Sequence, residues 1–183
     1  MLAEGCDRDR YHHVLGWMNV RLPGLPGRVL EVRNGHLDPF DPRNRAREVS
    51  PMGVLAAQGR LAVVDMDANT IGQQFPEPGW GVMAPHLLNG QLRLPGEAKV
   101  ADRDAVDLLA RSGFVDAAVA SQMAEVPTAA FGPGDVPRRQ DLILTSPALA
   151  PTATNYQVHR QPVDNGSSDH CAVSVEYDLA ALA

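Results

Sequence analysis

The clearest pattern along the chain is an alternation of apolar and polar residues with a period of two, which predicts β-strands. Residues 11–22 and 28–34 alternate in this way on either side of a turn rich in Pro and Gly, so we expect a hairpin. Residues 61–64 are wholly apolar, as in a strand that is buried on both faces. Three further strands are predicted near the C-terminus, over residues 142–144, 156–158 and 171–175.

Two segments have the spacing of amphipathic helices instead. The first covers residues 44–58 and contains Pro51, so either a helix begins with Ser50 as its N-cap or a longer helix is kinked at the proline. The second runs from Asp102 to Arg111, with Gly113 as its C-cap. Strands and helices in this order predict a mixed domain of the α/β (α+β) class.

Composition supports one globular domain that is rich in loops. The 183 residues are 44% apolar and 21% charged, which is enough to build a core and excludes a disordered chain or a coiled coil. Gly and Pro number 16 and 15, so the regular elements should be short. Residues 71–100 contain four prolines, which predicts a long surface excursion with little regular structure. These prolines are Pro76, Pro78, Pro85 and Pro95.

Charge and cysteine content narrow the classes of ligand. The formal net charge is −6, so no global basic field attracts nucleic acid or an anionic membrane, and a phosphate must be held locally by arginines or a metal. Two cysteines, Cys6 and Cys171, are too few for a disulfide framework or a zinc cage.

No apolar run predicts a membrane span, and the charged start of the chain does not resemble a signal peptide. A signal peptide preceding Met1 is compatible with the sequence, so the compartment stays open.

Polar groups that stand at predicted strand ends are the candidates for chemistry. They are Asp67 with Asn69, Asp141, and Asp169 with His170. Strand ends on one edge of a sheet converge, so these side chains can form one cluster. Carboxylates and amides without cysteine are the ligands of a hard cation, Mg²⁺ or Mn²⁺, which would neutralise the charge of a phosphate.

Four motifs in these regions resemble, in order, those of the endonuclease/exonuclease/phosphatase superfamily, which has the DNase I-like fold. They are Asn34-Gly35-His36-Leu37-Asp38, Val63-Val64 leading to Asp67-Ala68-Asn69, Arg139-Gln140-Asp141-Leu142-Ile143-Leu144, and Ser168-Asp169-His170-Cys171-Ala172-Val173. The resemblance covers about residues 28–177 of a single domain that we expect to span residues 1–183. It implies a sandwich of two mixed sheets flanked by helices, with a metal-dependent phosphoesterase site at one edge.

The resemblance also implies how a water molecule is activated. His170 would be the base that takes a proton from the attacking water, and Asp141 would orient its imidazole. This agrees with physical chemistry, because a carboxylate on the far ring nitrogen fixes the tautomer and favours the imidazolium that forms. Asp169 would lie against the metal ion.

Three further residues take roles around the phosphate in the same resemblance. Asp67 would align the nucleophile or bind metal, while Asn69 and His36 would hydrogen-bond the phosphate oxygens, with the leaving group as a further target of His36. The implied reaction is in-line attack of water on a phosphodiester, as in a nuclease, with nucleic acid as a candidate substrate. A phosphomonoesterase of sugar or inositol phosphates would share this core site, and a non-catalytic binding domain of the same fold is the alternative class.

The beginning of the chain departs from the family pattern. Family members open with a strand that bears an asparagine, followed by a Gln-Glu motif whose glutamate is a metal ligand, and neither is found here. Glu4 lacks the preceding glutamine and strand, Glu31 lies within the hairpin, and Asn19 has no matching context. The sequence thus resembles the C-terminal two-thirds of such a domain, N-terminally truncated, and we expect weak activity or none because a carboxylate ligand is missing.

Several of these residues also have simple structural explanations. Taken alone, Asp67 and Asn69 are equally consistent with an Asx-turn at a strand end, and His36 with a turn or capping histidine. His12 and His13 are expected to be a plain surface pair, because neighbouring residues of a strand point to opposite faces.

The arginines and aromatic residues do not predict a surface for nucleic acid. Arg43, Arg45 and Arg47 are interpreted as the solvated face of a helix rather than as phosphate contacts. Aromatic residues make up 5% of the chain, and no stacking platform for a single strand is predicted.

Overall fold

The computed structural model describes residues 1–93 and 99–182, and its strands form two sheets. The strands are β1 (Ala3–Asp7), β2 (Leu15–Arg21), β3 (Val29–His36), β4 (Leu61–Asp67), β5 (Val115–Asp116), β6 (Asp141–Thr145), β7 (Ala153–His159) and β8 (Ala172–Tyr177). The larger sheet has the order β1-β2-β3-β4-β6-β5, in which β3 and β4 are parallel and the other neighbours antiparallel. β7 and β8 form an antiparallel pair. The predicted hairpin is therefore β2-β3, and the larger sheet is the mixed one.

The helices are short, as the Gly and Pro content predicts. They are α1 (Pro42–Val49), α2 (Pro85–Leu88), α3 (Asp104–Arg111), α4 (Ala117–Ala120) and α5 (Gln161–Asp164), and 3₁₀ segments cover Ser50–Ala56, Trp80–Val82, Ala150–Thr152 and Leu179–Leu182. Pro51 lies in the first turn of a 3₁₀ segment that continues α1 directly. Gly113 has φ +106° one residue beyond the C-cap, Ser112, where a glycine tolerates the left-handed conformation that ends α3.

The larger sheet is covered on both faces, which gives the sandwich that the resemblance implies. On one face Val64, Met66 and Leu144 pack with residues of α1, α3 and the 3₁₀ segment between α1 and β4. On the other face Val63 and Ile143 pack with residues of β7 and β8. β4 and β6 are therefore packed from both sides, which fixes the positions of their ends.

The excursion over residues 71–100 is more ordered than the sequence pattern predicts. It contains α2 and the 3₁₀ turn Trp80–Val82, and it builds a small core of its own. The members of this core are Ile71, Phe75, Trp80, Met83, Leu92 and Ala101. Apolar residues without periodic spacing therefore form this core, which is why the sequence pattern does not predict it. Pro95 lies outside the described residues.

β1 is a strand that the sequence pattern does not predict. Its five residues include Gly and two acidic side chains, and it forms because it pairs with β2 in the register Glu4 to Met18. Glu4 therefore does lie on a strand, contrary to the expectation for its context, but it is exposed. Among the described residues, no helix has the length and apolar character that crossing a membrane requires.

Candidate active site

Three neighbouring strands of the larger sheet bring polar residues to one edge. His36 at the end of β3 is in register with Asp67 at the end of β4, and Asp67 is in register with Asp141 at the start of β6. Parallel pairing of β3 with β4 and antiparallel pairing of β4 with β6 place all three residues at the same edge. Asp67 and Asp141 thus converge at one edge as the sequence predicts, and His36, which was not part of the predicted cluster, lies at the same edge.

His170 completes the cluster from the loop that precedes β8. Its Nδ1 lies 3.1 and 3.0 Å from the two carboxylate oxygens of Asp141, and its backbone N–H donates to Ser168 Oγ at 3.0 Å. Because the carboxylate oxygens of Asp141 can only accept hydrogen bonds, we assign the ring proton to Nδ1. Among the described residues, none forms a hydrogen bond with His170 Nε2. That nitrogen is therefore free to accept a proton.

Charge around the imidazole favours its protonated form. The hydrogen bond with Asp141, reinforced by the charge of that carboxylate, raises the pKa of His170 to about 9 despite partial burial. The carboxylates of Asp67 and Asp169 act in the same direction. The cluster can therefore hold a proton on His170 strongly once it has been transferred.

Asp67 stands between two imidazoles. Its Oδ2 lies 3.4 Å from His36 Nε2 and 4.0 Å from His170 Nδ1. Burial raises the pKa of Asp67 above its ordinary value, and the neighbouring charge of Asp141 adds to this. Two carboxylates held this closely gain from a nearby cation.

Asn69 is held by hydrogen bonds at two strand ends, one to a carboxylate and one to a backbone carbonyl. Its N–H donates to Asp67 Oδ1 at 2.9 Å, which is the Asx-turn considered from the sequence, and its side-chain amide donates to Leu37 O at 2.9 Å. Its φ of +47° is a left-handed conformation that asparagine tolerates better than most residues. Asn69 thus ties the end of β4 to the end of β3, and its predicted contact with a phosphate remains a prediction.

Thr128 connects the two members of the His170–Asp141 pair, a role that the sequence does not reveal. Its fully buried hydroxyl accepts from the backbone N–H groups of Gln140 and Asp141, each at 3.1 Å. Its carbonyl accepts from the N–H of Cys171 at 2.7 Å. Thr128 therefore fixes the start of β6 and the residue after His170 relative to one another. A threonine in an irregular segment carries no motif that would reveal this.

Arg139 anchors the segment before Asp141 from inside the protein. Its guanidinium donates to both carboxylate oxygens of Asp116, at 3.1 and 2.8 Å, and to the carbonyls of Ala124 and Gln73. The backbone of Gly72 lies so close that a Cβ there would be 2.4 Å from Arg139 Nη2. This position needs a glycine for that reason.

A polar cavity adjoins the cluster. It has a volume of about 300 Å³ and is lined by Asp67, Asp141 and Cys171 together with Asp65 and Asn34. The Asn34 amide donates to Asp65 Oδ2 at 3.1 Å, and burial raises the pKa of Asp65. Asn34, the first residue of one sequence motif, lies two residues before His36, and Asp65 lies two residues before Asp67, so each shares a face of its strand with a site residue.

The donor set fits a hard divalent cation. Asp67, Asp141 and His170 each offer a ligand atom within 4.8 Å of the others, and two of the three are carboxylates beside a polar cavity. Asp169 is not a member of this group and is exposed in the loop beside His170. Its predicted role as a metal ligand stays a prediction. Glu31 pairs with Arg60 at 2.7 and 2.5 Å, so its carboxylate has a structural partner.

Histidines extend the site on the side of His36. The rings of His13 and His36 lie 4.0 Å apart at 34°, and those of His12 and His13 lie 4.8 Å apart. His12 and His13 are both exposed, as expected of a surface pair, but they lie in the loop before β2 rather than in a strand, and this loop brings His13 against His36 at the end of β3. Burial, together with the neighbouring imidazoles of His36 and His12, lowers the pKa of His13, which favours its neutral form.

The interpretation of the helix arginines was wrong for one of the three. Arg43 and Arg47 are exposed on α1, whereas Arg45 is fully buried. Its guanidinium donates to the carbonyls of Asp38 and Gly90. Helical spacing alone cannot show that a loop covers this face of α1.

Comparison with solved structures decides the fold. The endonuclease domain of TRAS1, a telomere-specific non-LTR retrotransposon, superposes with a TM-score of 0.60 at 14% identity, covering 90% of this chain and 64% of that one. The 3′ phosphatase NExo from Neisseria gives 0.59 at 16% identity, covering 90% and 70%. The mannosyl-6-phosphatase of Bacteroides thetaiotaomicron gives 0.54 at 14%, covering 97% and 66%. The chain has the endonuclease/exonuclease/phosphatase fold.

The endonuclease/exonuclease/phosphatase fold confirms the resemblance drawn from the four sequence motifs. The chain spans 64% of the length of the TRAS1 domain and about two thirds of the two phosphatases. No protein-family profile matches the sequence. No curated protein matches it either. The motifs and the three-dimensional arrangement therefore identify this fold where overall sequence similarity does not.

Proposed function

We propose that this chain binds Mg²⁺ or Mn²⁺ and hydrolyses a phosphodiester by in-line attack of water. The observation that carries the proposal is the pair of His170 with Asp141, at 3.0 and 3.1 Å, beside the carboxylate of Asp67. A histidine oriented by a carboxylate next to further acidic groups is an arrangement suited to proton transfer from water.

In this proposal Asp141 holds the ring of His170 and its tautomer. With the proton on Nδ1 directed at Asp141, Nε2 is the atom that accepts a proton from the attacking water. The imidazolium that results is stabilised by the same carboxylate. Thr128 keeps the two residues at this distance, because it bonds the backbone beside each of them.

Asp67 and the predicted ligand Asp169 would hold the cation. Burial and the charge of Asp141 make an unpartnered charge on Asp67 unfavourable, and a cation removes that penalty. When bound, a divalent ion supplies neutralisation of the phosphate charge. His36, 46% exposed at its side chain beside Asp67, is placed to contact phosphate oxygens or the leaving group, and Asn69 lies at the same strand ends.

A second candidate is a binding domain of the same fold that does not turn over its ligand. The observation that favours it is the position of the two glutamates that precede His36. Glu31 is bound to Arg60, and Glu4 is exposed on the edge strand β1. Neither is in the group of Asp67, Asp141 and His170, so a glutamate ligand is not supplied by this part of the chain. The expected outcome is weak activity or none.

The test compares turnover of three substrates with Mg²⁺, with Mn²⁺ and with a chelator. A short DNA strand and bis(p-nitrophenyl) phosphate represent phosphodiesters, and mannose 6-phosphate represents a monoester. The proposal expects diester hydrolysis that needs the cation and falls by about 10²- to 10⁴-fold in His170→Ala. Glu125→Gln, an exposed change elsewhere, is the control and should keep the activity. Cation-dependent binding without turnover would establish the binding domain instead, and faster monoester cleavage would assign the phosphomonoesterase.

A further inference from the structure

An exposed row of four aromatic rings leads away from the candidate site. It begins at His36 and continues through His13 and His12 to Phe40, with ring centroids 4.0, 4.8 and 5.7 Å apart from one ring to the next. We call these four residues the aromatic row. Phe40 is 74% exposed, and the three imidazoles are exposed as well. The ring of Phe40 is therefore open to a ligand, and what sets it apart from other exposed apolar side chains is its contact with rings that lead to the candidate site.

The row is continuous with the reacting groups. His36 Nε2 lies 3.4 Å from Asp67 Oδ2, so the first ring of the row touches the carboxylate cluster. His13 is tilted by 34° to His36, and the contacts of His12 with His13 and with Phe40 are edge-to-face, at 80° and 76°. A phosphoester held at Asp67 therefore places any ring system attached to it within reach of the row.

A buried carboxylate fixes the two loops that carry the row. Glu48 on α1 is 1% exposed, and its two oxygens accept from the backbone N–H of His12 at 2.6 Å and of Asp38 at 2.9 Å. Asp38 in turn accepts from the N–H of Phe40 at 2.7 Å. His12 and Phe40 are thus tied to the same residue although 28 positions separate them in the sequence. A surface that is held in place before binding loses less entropy when a ligand orders on it.

We propose that the aromatic row binds a nucleobase attached to the scissile phosphate, so that the substrate is a nucleic acid strand or a nucleotide rather than a sugar phosphate. This inference rests on the proposed function, because it assigns a substrate class to the same site. Flat bases stack on aromatic faces whatever their sequence. With a net charge of −6 the protein offers a strand no long-range attraction, so a local contact of this kind must supply affinity. The sequence does not reveal the aromatic row, because three of its four rings are histidines and its members lie in separate segments.

The test measures binding in the His170→Ala variant, so that no substrate is consumed. A labelled single-stranded DNA and the same strand with abasic central positions carry equal phosphate charge and differ only in bases. We expect the strand with bases to bind roughly tenfold more tightly at fixed salt and Mg²⁺, since stacking of one base changes affinity by about this factor. Phe40→Ala should abolish the difference, and Phe40→Tyr should retain it.

Matched controls separate stacking from folding. Val54 is another exposed apolar residue, 61% exposed, and lies near the amino end of β4, away from the site. Val54→Ala leaves the four rings intact, so it should keep the preference for bases. Thermal unfolding of each variant shows whether it is folded. His13→Ala should reduce the preference, and His13→Phe, which keeps a ring, should restore most of it. Equal affinity of the parent for both strands, or an unchanged preference in Phe40→Ala, overturns the proposal.

Two further arms identify the source of the base and separate this inference from the proposed function. Competition by thymidine 5′-monophosphate but not by ribose 5-phosphate indicates a nucleotide, and competition by a dinucleotide alone indicates a strand; both support the aromatic row. Competition by ribose 5-phosphate equal to that by the nucleotide overturns it. Base preference in a parent chain without turnover contradicts hydrolysis only, whereas turnover without base preference contradicts the row only.

Discussion

Two ion pairs near the start of β6 show how burial separates a pair that only fixes the fold from a pair that can exchange a proton. Arg139 pairs with Asp116, and both side chains are 0% exposed. Two residues further along, Asp141 pairs with His170, whose side chain is 27% exposed. The distances are similar, at 2.8 and 3.0 Å, so proximity does not distinguish the two pairs.

The two pairs differ in whether the donor side chain keeps a nitrogen without a hydrogen-bond partner. The guanidinium of Arg139 is used on Asp116 and on two backbone carbonyls, and it is closed off by the backbone of Gly72. His170 uses one ring nitrogen on Asp141, and none of the described residues forms a hydrogen bond with the other. A pair with every group satisfied fixes geometry, whereas a pair with one free group can exchange a proton. The first pair is needed to place the second.

The largest effect is expected where the buried pair is broken. Arg139→Met leaves the carboxylate of Asp116 buried without its partner, and such a change costs about 3–5 kcal/mol of unfolding free energy. Denaturant unfolding measures it. Arg43→Met, at an exposed position on α1, is the matched control and should change stability by about 0.5 kcal/mol or less. Equal losses in the two variants would show that the burial of the pair does not matter.

A second buried group, Glu48, sharpens the comparison because no arginine of the described residues pairs with it. Glu48→Ala removes the acceptor of two backbone N–H groups, those of His12 and Asp38, and should cost about 2–4 kcal/mol, since each orphaned donor costs about 1–3. Glu48→Gln keeps one acceptor and should lose less. Chemical denaturation of the three proteins gives the order. A Gln variant as unstable as the Ala variant would contradict the account based on acceptors.

The candidate site and its surroundings could be predicted from the sequence only in part. The ends of β4 and β6 follow from their apolar runs, so Asp67 and Asp141 could be placed at one edge from pattern alone. Arg45 and the pair His12 and His13 could not, because their surroundings depend on loops that cover α1 and β3.

Elements without a local signal explain the remaining differences. β1 forms only because β2 is beside it, and the small core around Trp80 assembles from apolar residues without periodicity. Thr128 acts through tertiary hydrogen bonds that no spacing in the sequence encodes.

Breaking the partly exposed pair of Asp141 and His170 should move a titration rather than unfold the chain. Asp141→Asn removes both the hydrogen-bonded charge and its field, so the pKa of His170 should fall from about 9 towards about 6.5. NMR of the imidazole signals in metal-free protein follows this directly. Glu125→Gln, which also removes a carboxylate but at an exposed position, should leave the midpoint in place. A midpoint that stays near 9 in Asp141→Asn would assign the raised pKa to other groups.

The smallest effect expected is a dependence of stability on pH that originates in His170. Its pKa is about 9 in the folded chain and about 6.5 when unfolded, so its protonated form stabilises the fold fully below about pH 6.5. The contribution is lost as the pH rises through 9. After allowance for partial exposure the loss amounts to about 1–2 kcal/mol. His170→Gln lacks it, so the difference in unfolding free energy between parent and variant should shrink from pH 6 to pH 10 with a chelator present. Parallel curves over this range would mean that the charge of His170 is not coupled to folding, and the partly exposed pair would then differ from the buried one in energy as well as in chemistry.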